Sequence, residues 1–252
     1  MKIKVLYEDK DILAIDKPSG ISVHGDGKTK EQTLADWVLE KYPKMKNVGE
    51  PMGEINRPGI VHRLDKETSG VLLLAKNKKA YEFLKNQFKD REIKKTYNAI
   101  VSGWMKDDRG VINKPIGRSP SDFRRHLAGR GARGELREAI TEYRVLKRFE
   151  IPGAGKRSDL KNSKRSGFRE ASYKFTYLEV RPKTGRTHQI RVHMKFLNHP
   201  VACDSLYDPK GFCPKEINRL ALHSKSIEFK DLKGKVVKVE SPLPKEFKKL
   251  QK

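Results

Sequence analysis

The stretch 62–75 constrains this chain more than any other. Nine mostly polar residues, His62-Arg63-Leu64-Asp65-Lys66-Glu67-Thr68-Ser69-Gly70, run straight into the apolar Val71-Leu72-Leu73-Leu74-Ala75. An apolar run this short falls far below the roughly 20 residues that span a bilayer. Between polar flanks it reads as a strand buried on both faces. The polar segment ahead of it is then held rigidly at the edge of a sheet. Two readings of Asp65 follow. It is either a reactive carboxylate on a firm support, or a turn residue whose side chain accepts from the amides of Thr68 or Ser69.

The other apolar residues fall into short runs separated by turns. Residues 3–7 and 11–15 suggest a hairpin broken at Glu8-Asp9-Lys10, followed by a turn at Lys17-Pro18-Ser19-Gly20. Thr33 is placed to cap a helix carrying Leu34, Trp37, Val38 and Tyr42, and Asn77 to cap one carrying Ala80, Phe83, Leu84 and Phe88. Residues 93–101, with Tyr97 among them, read as a strand, and 138–149 and 171–181 as a pair of strands. Thr187 is expected to cap a helix holding Ile190, Met194 and Leu197, and 219–229 and 236–239 close the series as strands, with a short basic helix after Pro242-Leu243-Pro244. Residues 117–137, rich in Gly, Arg and Ser, are expected to be a mobile loop, and 151–170 a second basic excursion. With no internal repeat and no break in composition, one α+β domain over 1–252 is expected, on a large mixed sheet.

The charge balance narrows the partners. Lys and Arg number 56 against 32 Asp and Glu, a formal net charge of +24. Such an excess repels itself in the folded state and finds its compensation on a polyanion, nucleic acid first, where each neutralised phosphate releases counterions. Two cysteines, Cys203 and Cys213, fit a reducing compartment and cannot make a disulfide framework. The N-terminal segment carries charges throughout its apolar stretches, unlike a signal peptide, so a cytoplasmic protein without a membrane segment is expected. His188, His193, His199 and His223 invite a metal site, yet the spacing of five between His188 and His193 does not put both on one helix face, and no CxxC hook is present. Nucleotide-binding loops and serine-hydrolase elbows are absent as well. No metal and no cofactor are expected.

A second constellation lies at Arg181-Pro182-Lys183-Thr184-Gly185-Arg186-Thr187-His188-Gln189-Ile190-Arg191-Val192-His193. A glycine turn before a helix start brings amides and cations together where phosphate can sit. The plain alternative is an amphipathic helix with a solvated basic face. At this point the sequence resembles a known family. VHRLDKETSGVLLLAKN is similar to the signature segment of the RluA-type pseudouridine synthases, and YEDKDILAIDKPSGISVH, KKTYNAIVSG, LEVRPKTGRTHQIRVHMKFLNHPVACDSLY and RLALHSKSIEF resemble the family's other segments in order, over about residues 3–240. The resemblance implies a pseudouridine-synthase-like catalytic domain on a mainly antiparallel mixed sheet flanked by helices and basic loops. It implies Asp65 as the catalytic aspartate, Tyr97 as the ring that stacks on the target uracil and Arg191 as the ion-pair partner of the aspartate. Ile190 would be an apolar wall and Arg63 would help extrude the nucleotide, while Arg186 and His188 match the substrate-binding motif. The helical RNA-binding appendage that many relatives carry ahead of this domain is not expected here.

The chemistry fits these residue types. Forming pseudouridine breaks the bond from the sugar to a ring nitrogen, turns the base and joins the sugar to ring carbon 5, with no redox equivalent or activated donor. One carboxylate can suffice because the uracil anion spreads its charge over two carbonyls and stays in place, unlike a departing sugar alcohol. That carboxylate either attacks the anomeric carbon or removes the 2′ proton; the sequence leaves both open. To remain ionised where water is partly excluded it needs an opposite charge, and arginine supplies one that is permanent and bidentate. Extruding the base costs a few kcal/mol, part of which an aromatic stack offsets. A structured RNA, tRNA or rRNA, is the expected partner of a monomeric enzyme. A non-catalytic RNA-binding or ribosome-assembly protein on the same fold is the alternative.

Overall fold

The computed structural model describes residues 1–25, 27, 29–152 and 172–249. In chain order the elements are β1 (Lys4–Glu8), β2 (Ile12–Lys17), α1 (Leu34–Lys41), a 3-10 turn (Pro43–Met45), β3 (Ser69–Ala75), α2 (Lys78–Lys89), β4 (Lys94–Ser102), β5 (Arg109–Asn113), β6 (Ile116–Arg118), β7 (His126–Ala128), β8 (Arg133–Arg137), β9 (Ile140–Pro152), β10 (Ser172–Pro182), α3 (Gln189–Phe196), β11 (Leu222–Lys230), β12 (Val236–Glu240) and α4 (Lys245–Lys249). Nine strands form one sheet in the order β1-β2-β3-β11-β4-β10-β9-β5, with β12 also on β11. The β3–β11 pair is parallel and the others are antiparallel, so the fold is α+β on a mainly antiparallel mixed sheet.

Local chemistry accounts for the helix starts. The Thr33 hydroxyl accepts from the Asp36 amide while the Asp36 carboxylate accepts from the Thr33 amide, a reciprocal cap. Asn77 Oδ1 accepts from the Ala80 amide at 2.9 Å. On α2, Ala80 and Leu84 are fully buried, whereas Phe83 and Phe88 are half-buried.

Every residue of β3 is buried, as the apolar run requires, and the strand sits inside the sheet. Its second residue is the tightest point of the fold. At Gly70 the backbone lies at φ +112°, and a Cβ there would stand 2.1 Å from the carbonyl oxygen of Ser224 on β11. Only glycine lets the two strands meet and leaves the polar segment pinned at the strand's mouth.

Three expectations are corrected. Residues 117–137 are not a mobile loop: β7, β6 and β8 pair into a separate three-stranded sheet in that order. Strands of three to five residues are too short to show a period, and Gly117 serves the pairing. A Cβ on Gly117, in the middle strand, would lie 3.0 Å from the Arg133 carbonyl. Ile116, Ala128 and Ala139 pack with Val192 and Tyr207 to anchor this side sheet to α3. Second, His188 rather than Thr187 begins α3, in a left-handed conformation (φ +54°). Third, Cys203 and Cys213 are joined in a disulfide with Cα atoms 4.7 Å apart, where the sequence reading had them fit a reducing compartment. Of the expected excursion at 151–170, the first two residues belong to β9, and 153–170 lie outside the described residues. Among the described residues, no helix is long and apolar enough to cross a membrane.

Candidate active site

A cleft of about 520 Å³ opens where the 61–65 segment, the start of β4, the turn after β10 and the first turn of α3 converge. All seven candidate residues, Arg63, Asp65, Tyr97, Arg186, His188, Ile190 and Arg191, line it.

The segment carrying Asp65 is braced from beneath. Lys17, fully buried, donates to the carbonyls of Pro18, Lys66 and Thr68 at 2.8, 3.0 and 2.8 Å. The Gly20 amide reaches the Lys66 carbonyl at 2.9 Å, and the Ser19 hydroxyl reaches that of Glu67. His62 accepts from the Leu73 amide at 2.9 Å and stacks on Phe88; burial pushes its pKa down to about 3, so the ring is neutral and serves as an acceptor. The Thr68 amide donates to the backbone carbonyl of Asp65, not to its side chain. The carboxylate is therefore left to the cleft.

There it meets Arg191. Asp65 Oδ2 accepts from Arg191 Nη1 at 3.3 Å, with the aspartate side chain 19% exposed. Arg191 has a second and closer partner that sequence reasoning missed. Its Nε and Nη2 donate to the two oxygens of Asp204 at 2.8 Å each, and Asp204 is fully buried. One Asp204 oxygen also accepts the amides of Leu206 and Tyr207, and the guanidinium lies 5.1 Å from the centre of the Tyr207 ring. Burial opposes the charge on Arg191, but the carboxylates of Asp204 and Asp65 outweigh it and its pKa is raised. A bidentate clamp of this kind fixes the guanidinium plane and leaves Nη1 directed at Asp65.

His188 completes this wall. Its Nε2 lies 3.9 Å from Asp65 Oδ1 and its Nδ1 is 3.0 Å from the Tyr207 hydroxyl. Burial lowers its pKa, more than the neighbouring Asp65 raises it, so the ring is chiefly neutral at pH 7. Gln189 sets the turn, with Oε1 accepting from the Arg186 amide at 3.0 Å and the Thr184 hydroxyl at 2.7 Å. Arg186 Nε donates to the Glu138 carbonyl at the rim, and Arg63 is exposed there.

Opposite stands β4. Tyr97 is buried, and burial, with some help from Asp65, pushes its phenol up to about 12 against a hydrogen bond with Ser224. The ring is thus a neutral, protonated face at physiological pH and not a base. Two residues earlier, on the same side of the strand, Lys95 donates to the Thr184 carbonyl at 3.1 Å; burial lowers its pKa to about 8. Ile190, 6% exposed, adds an apolar surface. The cleft thus offers one carboxylate beside a fixed cation, an aromatic face and an apolar wall.

The remaining histidines are engaged elsewhere. His193 contacts the Thr141 hydroxyl and the Lys114 carbonyl, His223 contacts Ser69, and His199 the Ser102 carbonyl.

Comparison with known proteins decides what this arrangement belongs to. The family described as RNA pseudouridylate synthase matches residues 11–196. The chain belongs to that family. Proteins of this family are isomerases that convert uridine to pseudouridine. An uncharacterised RNA pseudouridine synthase of Aquifex aeolicus is 40% identical over 216 residues, covering 85% of this chain and 59% of the relative. A protein of Borreliella burgdorferi named ribosomal large subunit pseudouridine synthase D is 37% identical over 246 residues, covering 97% of this chain and 66% of the relative. The chain thus spans 59% and 66% of the lengths of these two relatives. The human RNA pseudouridylate synthase domain containing 1 shares the fold, with a TM-score of 0.70 over 96% of this chain and 84% of that one at 24% identity.

Of the pseudouridine synthase site, the Asp65 and Arg191 motifs are visible as sequence. Asp204 is not, because nothing in its own neighbourhood marks it apart from a turn. An acid 13 residues beyond Arg191, just past the end of α3, was the available signal.

Proposed function

We propose that this protein isomerises specific uridines of large-subunit ribosomal RNA to pseudouridine, with Asp65 as the catalytic carboxylate. The single observation that carries the reading is the Asp65–Arg191 contact at 3.3 Å in a cleft faced by Tyr97. The RNA class is taken from the printed name of the Borreliella relative and agrees with the net charge of +24.

In the proposed reaction the target nucleotide leaves its stack and enters the cleft, where Tyr97 stacks on the base and Ile190 bounds it. Arg63, free at the rim, takes the vacated place in the RNA, while Arg186 and the turn around His188 hold the flanking phosphates. Asp65 then promotes loss of uracil from the anomeric carbon, as nucleophile or as base toward the 2′ proton. The freed uracil carries the electron pair of the broken bond on its ring nitrogen and carbonyls. It turns within the cleft and carbon 5 bonds to the sugar carbon, displacing the Asp65 carboxylate in the nucleophilic route or, in the base route, with Asp65 returning the 2′ proton. The proton then leaves carbon 5 as the ring regains its conjugation, and the freed ring nitrogen takes one up. Atoms and charge balance without an outside reagent.

The test is a time course on unmodified large-subunit rRNA transcript, with pseudouridine located by chemical mapping. Modification at discrete uridines by the wild type, and none by Asp65→Asn with RNA binding retained, supports the reading. Binding without modification by the wild type would leave an RNA-binding protein on a synthase fold.

A further inference from the structure

Phe123 is 87% exposed, more than any other large apolar side chain among the described residues. It does not sit on a loose loop. The Arg125 amide donates to the Asp122 carbonyl at 2.9 Å, which puts Phe123 at the first corner of a tight turn joining β6 to β7. Asp122 Oδ1 also accepts the Arg124 amide at 3.0 Å, and the Ser119 amide reaches the Arg125 carbonyl at 3.0 Å below the turn. Asp122 is held in turn by Arg124 at 2.9 Å and by Arg125 at 3.5 Å. The backbone is ordered by five polar contacts whose net product is a bare ring pointing into water.

The position of that ring relates it to the cleft. Residue 126, three beyond Phe123, forms part of the cleft's surroundings: the His126 amide donates to the Tyr207 hydroxyl at 3.0 Å, and its ring meets the His188 ring edge-on at 5.9 Å. His188 faces Asp65. Three residue spacings, at most roughly 10 Å between Cα atoms, separate Phe123 from His126. Arg124 and Arg125 follow it in the turn, both paired with Asp122, and Arg118 lies across the strand pair from His126. A planar ring among cations, beside a site that takes a nucleotide, fits the face of an unpaired base with phosphates at its edge. A peptide or a lipid surface would need a groove or a broader apolar patch.

We propose that Phe123 is a stacking platform for an unpaired base of the RNA near the target uridine. The proposal rests on the reading that the substrate is RNA. It extends that reading to substrate form: the RNA presents a second splayed base, and a continuous duplex is a poor ligand. The side sheet then acts through one aromatic contact as well as through charge.

The test compares binding of a labelled stem–loop RNA with an unpaired uridine-containing loop against a fully paired duplex of the same stem, for the full chain and for Phe123→Ala, Phe123→Leu and Phe123→Tyr. Phe123→Ala is expected to weaken stem–loop binding by roughly 5-fold or more, the lower end of what one stacked base supplies, and to leave duplex binding within about twofold. Tyr restores the loss and Leu does not. On unmodified rRNA transcript the same Ala variant raises KM with kcat within about twofold. The proposal is overturned if Ala binds the stem–loop as the wild type does, if the loss is equal on the duplex, or if Leu restores binding as well as Tyr. These binding measurements need no turnover. A wild type that makes no pseudouridine would therefore overturn the proposed function while the stacking result is still read.

Discussion

At the floor of the cleft, Arg191 is 7% exposed and lies between two carboxylates, with hydrogen bonds to both. At the rim, the β6–β8 sheet sends Arg118, Arg124 and Arg133 into solvent beside a bare phenylalanine. Both regions are cationic, yet the charge is used differently. At the floor it is bought with burial and fixed by geometry, so a lost partner leaves an uncompensated ion where water cannot help. At the rim each cation is already hydrated, and its gain on meeting phosphate comes from released counterions, small per contact and additive. Damage to the floor is expected in kcat and in stability, and damage to the rim in KM and in salt dependence.

The sharpest separation comes from Asp65. Replacing it with Asn is expected to lower the rate by about 10⁴-fold or more, some 5 kcal/mol in the barrier, with melting temperature and RNA affinity near the wild type. A large fall in either of those would mean that the floor's two aspartates share one structural task, and the comparison would fail there. Asp204→Asn acts on the same guanidinium from the other side. It is expected to cost about 3–5 kcal/mol of stability, read as the shift in urea midpoint, because Arg191 would keep its charge in a buried place with one distant partner.

Acid should find the floor before it finds the rim. Burial holds His62 down near 3 and His223 near 4, and lowers His188 and His193. A histidine whose folded pKa lies below its unfolded value of about 6.5 takes up its proton on unfolding. Stability is therefore kept above about pH 6.5 and falls, by a few kcal/mol in total, as pH drops toward 4 and 3. His223→Asn should flatten part of that fall in a urea series run across pH; an unchanged slope would assign the acid sensitivity elsewhere. The smallest effect belongs to the rim. Arg133→Ala should weaken rRNA binding a few-fold and reduce the slope of log affinity against log salt by about one, with kcat unchanged.

How far the molecule is legible from its sequence follows the same division. Val71 to Ala75 announces a central strand because one apolar face after another admits no other burial, and Thr33 and Asn77 announce helices because their side chains satisfy specific amides. Asp65, Tyr97 and Arg191 were picked out by the resemblance, and the structure brings them to one cleft. Asp204 and Lys17 were passed over, although both are fully buried, because a charged residue inside a turn-like segment looks like surface until its partners are placed. Lys17 sits in an apparent turn, Lys17-Pro18-Ser19-Gly20, yet its ammonium holds together the segment that follows Asp65 some fifty residues later. The side sheet escaped for another reason. Its strands are three to five residues long and its register rests on contacts with α3 and Tyr207, which no local window contains.

The absent side chain at Gly70 has a reach well beyond its own turn. Because β3, β11 and β4 lie side by side, the acid-bearing segment and the tyrosine-bearing strand stand two strand spacings apart, roughly 10 Å, a width fixed by backbone pairing. The gap that, on the proposed function, admits a nucleotide is thus a gauge set when the sheet zips up, and it does not depend on how the loops above it are written. Rim sequences can diverge to suit one RNA fold or another without recalibrating the reaction, whereas a single methyl at position 70 would alter the gauge itself.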